Sequence, residues 1–483
     1  MSISLANPEL LLQEGWIDGR PASGERRFDI LNPATLESVA TVSDLGAGDA
    51  GRAIAAAAEA FTTWKTLSMQ ERSSLIADWA TLIDDNSADL ARILSSENGK
   101  PLSEASGEIG QCASLLRWYA QEALRLTGAT LPWQSAGQRN FTIKQPIGVA
   151  ACITPWNFPA AAVIVKAGAA IVTGCTCVAK PSEETPLIAL ALARLSKMAG
   201  VPDGVFNVVP CRNPAAVGDA ICASPDVRML SFTGSTKVGK QLYSACGETL
   251  KRITLELGGN APFVVFDDAD LDTAVACAVN ARFYNGGQIC VGANRFFVHD
   301  AIYDAFADRL AGKVSQLTIG NGLDPSTQIG PMINRAAIGR LERLIDDSMS
   351  KGATILNGGT RRDDESLFFL PTVLSNMQPT MAAYTTEIFG PVACLYRFER
   401  EDDVLQKAND TQAGLAAYVF SGNPRRLLRF SEALEAGVIG ANSTNIFSND
   451  LPFGGIKQSG LGREHGLHCL DEYVETKSVC LGL

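Results

Sequence analysis

A thiol and a carboxylate thirty-four residues apart form the pair in this chain best suited to covalent chemistry on a carbonyl group. Cys290 stands in RFYNGGQICVGANR, residues 282–295, on a Gly286-Gly287 turn beside Gln288. Glu256 stands in TLELGGN, residues 254–260, where a short apolar alternation runs into Gly258-Gly259. A cysteine attacks carbonyl carbon as the thiolate. A nearby carboxylate can accept the thiol proton, or activate water to hydrolyse a thioester. One Cys among twelve is by itself more often a small buried apolar residue. Its surroundings set this one apart.

Other segments suit a nucleotide. Phe232-Thr233-Gly234-Ser235-Thr236-Lys237-Val238-Gly239 follows a strand and opens a helix. Gly234 permits close backbone approach, and the helix N-terminus favours phosphate. The spacing is not GxGxxG, so an ordinary glycine turn is the competing reading. Lys180 and Glu183, in KPSEETP, lie just past a strand's C-terminal end, where open α/β sheets bind ligands. A carboxylate there can accept both hydroxyls of an adenine ribose and repel a 2′-phosphate. Like charges at ~4 Å repel by ~4 kcal/mol at an effective dielectric of ~20. Lys180 would offset part of that, and a solvated charged loop is the alternative. Asn157 precedes Phe158-Pro159, which puts it at a strand end as a turn former or an amide donor.

These residues need a frame. A length of 483 residues implies two or three domains, and 46% hydrophobic with 19% charged residues fits a globular interior. A net charge of −11 argues against nucleic acid or an anionic membrane as partner. The stretch 160–179 is apolar, but Lys166 inside it would cost ~3 kcal/mol near a bilayer centre. A buried helix, a turn at Gly174 and a buried strand account for it better. The N-terminus shows no basic start followed by an apolar run, and the scattered cysteines fit a reducing cytosol, so a cytoplasmic location is expected. Of the three histidines, His465 and His468 read as surface residues, and no metal site is expected.

The middle of the chain alternates strands with helical stretches. VAACI (149–153), CTCVAK (175–180), VFNVV (205–209), MLSFTG (229–234) and ITLEL (253–257) predict a parallel sheet with helical crossovers. A second α/β unit starts near residue 258, with helices around 270–284 and from about 301. Residues 46–98 read as Ala-rich helices packed around the first sheet. FTIKQPIG (141–148) and EYVETKSVCLGL (472–483) are strand-like and fit neither unit.

ITPWNFP (153–159), KPSEETP (180–186), FTGSTKVG (232–239), LELGGN (255–260), GGQIC (286–290), EIFGPV (387–392) and PFGGIKQSGLGRE (452–464) occur in that order. Together they resemble the motif set of the NAD(P)-dependent aldehyde dehydrogenase superfamily over nearly the whole length, most of all its succinate-semialdehyde branch. The resemblance implies an α/β aldehyde dehydrogenase-like fold. A Rossmann-type cofactor domain would take residues 1–124 and 147–257, and an α/β catalytic domain residues 258–456. Segments 125–146 and 466–483 would form a small bridging β-strand domain that pairs subunits in a homodimer or homotetramer. It implies Cys290 as nucleophile, Glu256 as general base and Asn157 as oxyanion donor, with Lys166 and Glu464 relaying protons. Trp156, Gly234, Ser235, Gly239, Glu387 and Phe389 would serve the cofactor, with Lys180 and Glu183 at its adenine ribose selecting NAD.

The sequence departs from that branch at the substrate. Two arginines that commonly hold the substrate carboxylate are replaced by Tyr284 and Val165, leaving Ser448 as the third contact. With Phe158 and Phe453 nearby, these residues describe an apolar tunnel. An uncharged aliphatic or aromatic aldehyde is therefore the expected substrate, with succinate semialdehyde the alternative if Ser448 and Arg282 serve instead. Gly292 also replaces a cysteine that relatives often carry, so Cys290 lacks that disulfide partner. Glu256 as a water activator favours hydrolysis of the thioester over its transfer to coenzyme A.

Overall fold

The computed structural model describes residues 3–483. Among these, two large sheets and one small one carry the architecture. The first sheet has the strand order Arg20–Ala22, Gly15–Ile17, Phe206–Val208, Thr176–Lys180, Val149–Ile153, Val227–Thr233, Arg252–Glu256, Gly460–Leu461. Its five inner strands are parallel and its edge pairings antiparallel. Val149–Ile153 and Thr176–Lys180 are buried at every residue, as parallel strands covered on both faces must be. Covering helices include Ala47–Trp64, Met69–Asp85, Leu102–Ala123 and Leu187–Met198.

The apolar stretch after Pro159 resolves into four pieces. An α-helical turn, Pro159–Val163, passes into a π-helical turn, Ile164–Gly168, and back to α-helix at Ala169–Thr173. Gly174 then ends the helix at φ +100°, a left-handed conformation suited to glycine, and the strand Thr176–Lys180 follows. The sequence pattern gave no sign of the π turn. It widens the helix at Val165 and Lys166, and such turns are frequent at functional sites. No helix among the described residues is long and apolar enough to cross a membrane.

The second sheet has the order Thr354–Asn357, Thr372–Ser375, Val392–Phe398, Ala293–His299, Ala261–Val265, Ala416–Phe420, Val438–Ala441. Its centre is aromatic: the Phe263 ring lies 4.6 Å from Phe420, 5.0 Å from Phe296 and 5.8 Å from Tyr418. A third sheet stands apart, where Gln138–Pro146 pairs antiparallel with Val474–Gly482 from Pro146↔Val474 to Gln138↔Gly482. Thr130–Leu131 flanks it.

Because Phe263 is fully enclosed by those rings, Phe263→Ala should cost about 3–5 kcal/mol. The expected result is a clearly lowered thermal midpoint. An unchanged midpoint would show that the aromatic cluster does not support the second sheet.

Candidate active site

The first sheet reverses its strand order between Val149–Ile153 and Val227–Thr233, the place where open α/β sheets leave a crevice. Segments leaving the C-terminal ends of its strands converge there: Trp156-Asn157 after Ile153, Gly234-Ser235 after Thr233, and Leu257-Gly258 after Glu256. Cys290 arrives from the other side, just before the strand Ala293–His299 of the second sheet. The two halves touch closely: a Cβ on Gly259 would lie 2.4 Å from the Cys290 carbonyl oxygen. The crevice is a cavity of about 730 Å³ lined by both segments.

Cys290 is half-buried and sits on a turn that only unusual backbone can make. Asn285, Gly286 and Gly287 have φ of +50°, +61° and +72°. A side chain on Gly287 would strike the Gly390 carbonyl oxygen at 2.2 Å. The Arg282 guanidinium fixes this turn, donating to Ala293 O at 3.1 Å and Asn294 Oδ1 at 2.7 Å, and also to Gly287 O. Burial, helped by Glu256 and Glu387, pushes the Cys290 thiol up to about 12. Glu256 is buried with neither carboxylate oxygen hydrogen-bonded. Burial and the neighbouring Glu464 raise its pKa well above the usual carboxylate range, and Lys166 partly opposes this. Lys166 is fully enclosed and ion-paired to Glu464. The thiol, the unpaired carboxylate and the buried pair behind it form one connected set.

Asn157 lines the cavity, and its amide Nδ2 donates to Gln288 O at 3.0 Å. Its position is set by residues the motif reading did not include. Lys100 Nζ donates to Asn157 O at 2.8 Å, pairs with Glu108 at 2.5 Å, and lies 4.2 Å from the Phe158 ring centroid. Glu108 accepts from the N–H groups of Ala160 and Ala161, both at 3.0 Å. Asn98 holds Trp156 O at 2.7 Å, and Glu104 accepts from Asn285 N at 2.8 Å. A single stretch, residues 98–108, thus grips the Asn157 turn and the turn leading to Cys290. ENGKP, residues 97–101, was the available signal in the sequence.

At one end the cavity is lined by Trp156, Gly234, Ser235, Gly258, Glu387, Phe389 and Arg340. Trp156 and Phe389 meet edge to face at 5.5 Å. Gly259 N donates to Glu387 at 3.1 Å, while burial lifts the Glu387 carboxyl to about 7. Ser235 caps the helix Thr236–Cys246. Gly239 lies outside the lining: a Cβ there would meet Leu257 Cδ2 at 2.4 Å, so its smallness serves helix packing. Lys180 and Glu183 also lie outside the lining and pair with each other at 3.8 Å.

The other end is lined by Leu115, Phe158, Ala161, Ala162, Val165, Tyr284, Phe447 and Phe453, with Phe158 and Tyr284 stacked at 6.2 Å. Three expectations fail here. Ser448 is exposed, bonded to Asp450, and outside the lining. Arg282 is fully buried with its donors committed to the turn that carries Cys290, and it lies outside the cavity lining. His465, expected at the surface, is buried and lines the cavity, whereas His468 is exposed. The chain reverses direction at Gly466, which folds His465 inward, and no sequence pattern marks that reversal.

The profile of the aldehyde dehydrogenase family matches residues 19–479. The succinate-semialdehyde dehydrogenase (NADP(+)) GabD of Escherichia coli strain K12 is 47% identical over 481 residues, covering 99% of each chain. The glutarate-semialdehyde dehydrogenase of Pseudomonas putida strain KT2440 is 46% identical over 484 residues, covering 100% of each. The crystal structure of succinate-semialdehyde dehydrogenase from Burkholderia pseudomallei superposes with a TM-score of 0.98 at 47% identity, covering 99% of this chain and 100% of that one. The chain belongs to the aldehyde dehydrogenase family and is an oxidoreductase acting on aldehydes.

The raised thiol pKa predicts how the free enzyme reacts with iodoacetamide. Alkylation of Cys290, followed by mass spectrometry, should be slow at neutral pH and accelerate into the alkaline range as thiolate forms. Glu256→Gln removes a like charge, so its profile should shift toward lower pH. A thiol already fully reactive at neutral pH would contradict this account of the cleft.

Proposed function

We propose that this enzyme oxidises an uncharged aldehyde with an apolar or aromatic body to its carboxylic acid, using NAD. The observation that carries the reading is the cavity wall. Among the described residues Arg340 is the one arginine of the lining and no lysine lines it; Arg340 lies at the cofactor end beside Glu387 and donates to Phe389 O at 3.1 Å. A substrate carboxylate would enter without a cation to meet it, and an unpaired buried charge is heavily penalised. The competing reading, a semialdehyde dehydrogenase, is supported by the names of the E. coli and P. putida relatives.

In the proposed mechanism Cys290 loses its proton toward Glu256 and attacks the aldehyde carbon. The Asn157 amide and the Cys290 backbone N–H stabilise the resulting oxyanion; such donors are each worth ~10²–10³ in rate. A bound nicotinamide supplies the hydride acceptor that allows the adduct to become a thioester. The fit of that group rests on this end of the cavity: a helix N-terminus at Ser235, the Trp156–Phe389 corner, and Gly258, where a Cβ would lie 2.7 Å from Glu387. The Lys166–Glu464 pair behind Glu256 first passes the thiol proton outward, and the freed Glu256 carboxylate then takes a proton from the hydrolytic water as the thioester is cleaved and the Cys290 thiolate leaves.

NAD over NADP rests on Glu183. Its partner Lys180 moderates the repulsion of a 2′-phosphate without removing it. Glu183→Ser should narrow the gap in kcat/KM between NAD and NADP by about one to two powers of ten, each worth ~1.4 kcal/mol. Better turnover with NADP in the unmodified enzyme would refute the role of Glu183.

The substrate reading is tested by kcat/KM for succinate semialdehyde against benzaldehyde and medium-chain aldehydes under identical conditions. Apolar walls contribute ~25 cal/mol per Å² of ligand surface covered, so the ring and the chain should win. A tenfold or greater advantage for succinate semialdehyde would overturn the reading.

A further inference from the structure

We propose that His465 is a substrate-contacting, specificity-determining residue, whose imidazole selects uncharged aldehydes that carry a neutral hydrogen-bonding substituent such as a hydroxyl. The inference rests on the cavity being the site of aldehyde oxidation and adds which aldehydes it prefers.

The ring is held in the wall by its neighbours. Phe453 and Glu464 pair through both backbone groups, Phe453 N to Glu464 O at 2.7 Å and Glu464 N to Phe453 O at 2.8 Å. His465 follows directly, and Gly466 N is then tied to Asn449 O at 2.9 Å. The imidazole therefore stands edge-on to Phe453, centroids 6.4 Å apart, and Phe453 in turn packs 5.0 Å from Phe447. All three line the cavity.

Within this wall the imidazole is polar and unsatisfied. His465 is 6% exposed, and its Nδ1 is enclosed without a hydrogen-bond partner. A buried, unpaired nitrogen costs about 1–3 kcal/mol. Which nitrogen carries the proton is normally fixed by what the other one bonds, and at Nδ1 no protein group does so. Elsewhere in the lining Asn280 and Thr444 bond each other at 3.0 Å, whereas Glu256 shares the unpaired state of His465.

The backbone adds a second cost. His465 has φ +54°, in the left-handed region where a residue with a Cβ pays about 1–2 kcal/mol and glycine pays nothing. Nδ1 is closed to the cavity, so a ligand meets the imidazole at Nε2, which no group among the described residues bonds, and with Nδ1 also unbonded the tautomer can follow the ligand. Burial and nearby Lys166 disfavour the charged ring, although Glu464 opposes them. A neutral ring cannot stand in for an arginine, but it can donate to or accept from a hydroxyl.

The test compares meta- and para-hydroxymethylbenzaldehyde with the ethyl-substituted aldehydes of the same shape, at saturating NAD. The unmodified enzyme should favour at least one hydroxymethyl isomer in kcat/KM by about tenfold, the effect of one hydrogen bond. His465→Gly relieves the backbone strain and is expected to fold, and it should erase that preference. His465→Asn, whose amide tolerates the left-handed backbone, should restore part of it. An equal ratio in the unmodified enzyme and His465→Gly, or a native preference for the ethyl compounds, would overturn the assignment. Failure of the wider reading looks different: succinate semialdehyde would outrun both members of each pair, whatever the ratio between them.

Discussion

One buried cation holds the reactive cleft together. Lys100 is wholly enclosed, its charge met by Glu108, the carbonyl of Asn157 and the face of Phe158. Taking two charges out of water is costly, and such a pair is sustained only when every remaining polar valence is filled. Glu108 fills its own by capping the helix that begins at Pro159. Removing either partner would strand a charge in the interior, at ~3–5 kcal/mol. The pair therefore does more than stabilise. It ties the Asn157 turn and the Phe158 wall of the cavity to the helical layer.

The same device recurs one residue before Asn98. Glu97, fully buried, accepts from Leu187 N at 2.8 Å and Ile188 N at 2.9 Å, capping the helix that follows the Lys180–Glu183 loop. Burial lifts its carboxyl to about 8 despite those two donors. Two carboxylates from neighbouring helices thus cap the helices after two adjacent strands of the first sheet, with the helix dipole favouring each. The cost of burying acids in this layer returns as fixed loop geometry, at the Asn157 turn in the cavity wall and at the Lys180–Glu183 loop outside it. The same burial raises both the Cys290 thiol and the Glu256 carboxyl, and each is raised further by a neighbouring acid.

The parts of this arrangement that were legible in the sequence share a property. Strands such as Val149–Ile153 and turns such as Gly286-Gly287 are local, and their residue types announce them. Cys290, Glu256 and Asn157 were singled out through the ordered motifs that carry the family resemblance, and all three line one cavity. Lys100, Glu104 and Glu108 were not singled out because a charged residue reads as solvent-facing unless its distant partner is known. His465 was misread for the same reason, since its burial depends on a chain reversal enforced by the Phe453–Glu464 pairing. Ser448 fell outside the cavity because Phe447 lines it instead, a difference of one residue that no spacing rule could resolve.

The arginines near the cleft complete the argument. Arg282 and Arg295 are fully buried, yet neither has a carboxylate partner among the described residues. Arg295 donates to Asn260 O at 3.1 Å, Lys407 O at 2.8 Å and Ala408 O at 2.8 Å, and Arg282 spreads its charge over the carbonyls of the nucleophile turn. Planar guanidinium groups suit this work, since several fixed donors can gather backbone acceptors from separate loops. Burial lowers the pKa of both, and for Arg282 to about 10, so the carbonyl contacts only partly replace water. Pulling either toward a substrate anion would unmake the turn it holds. A cation for such an anion would have to come from a tunnel position that does not already carry structure, and Val165 and Tyr284 are two such places, both occupied here by uncharged side chains. The scaffold spends these two arginines on geometry.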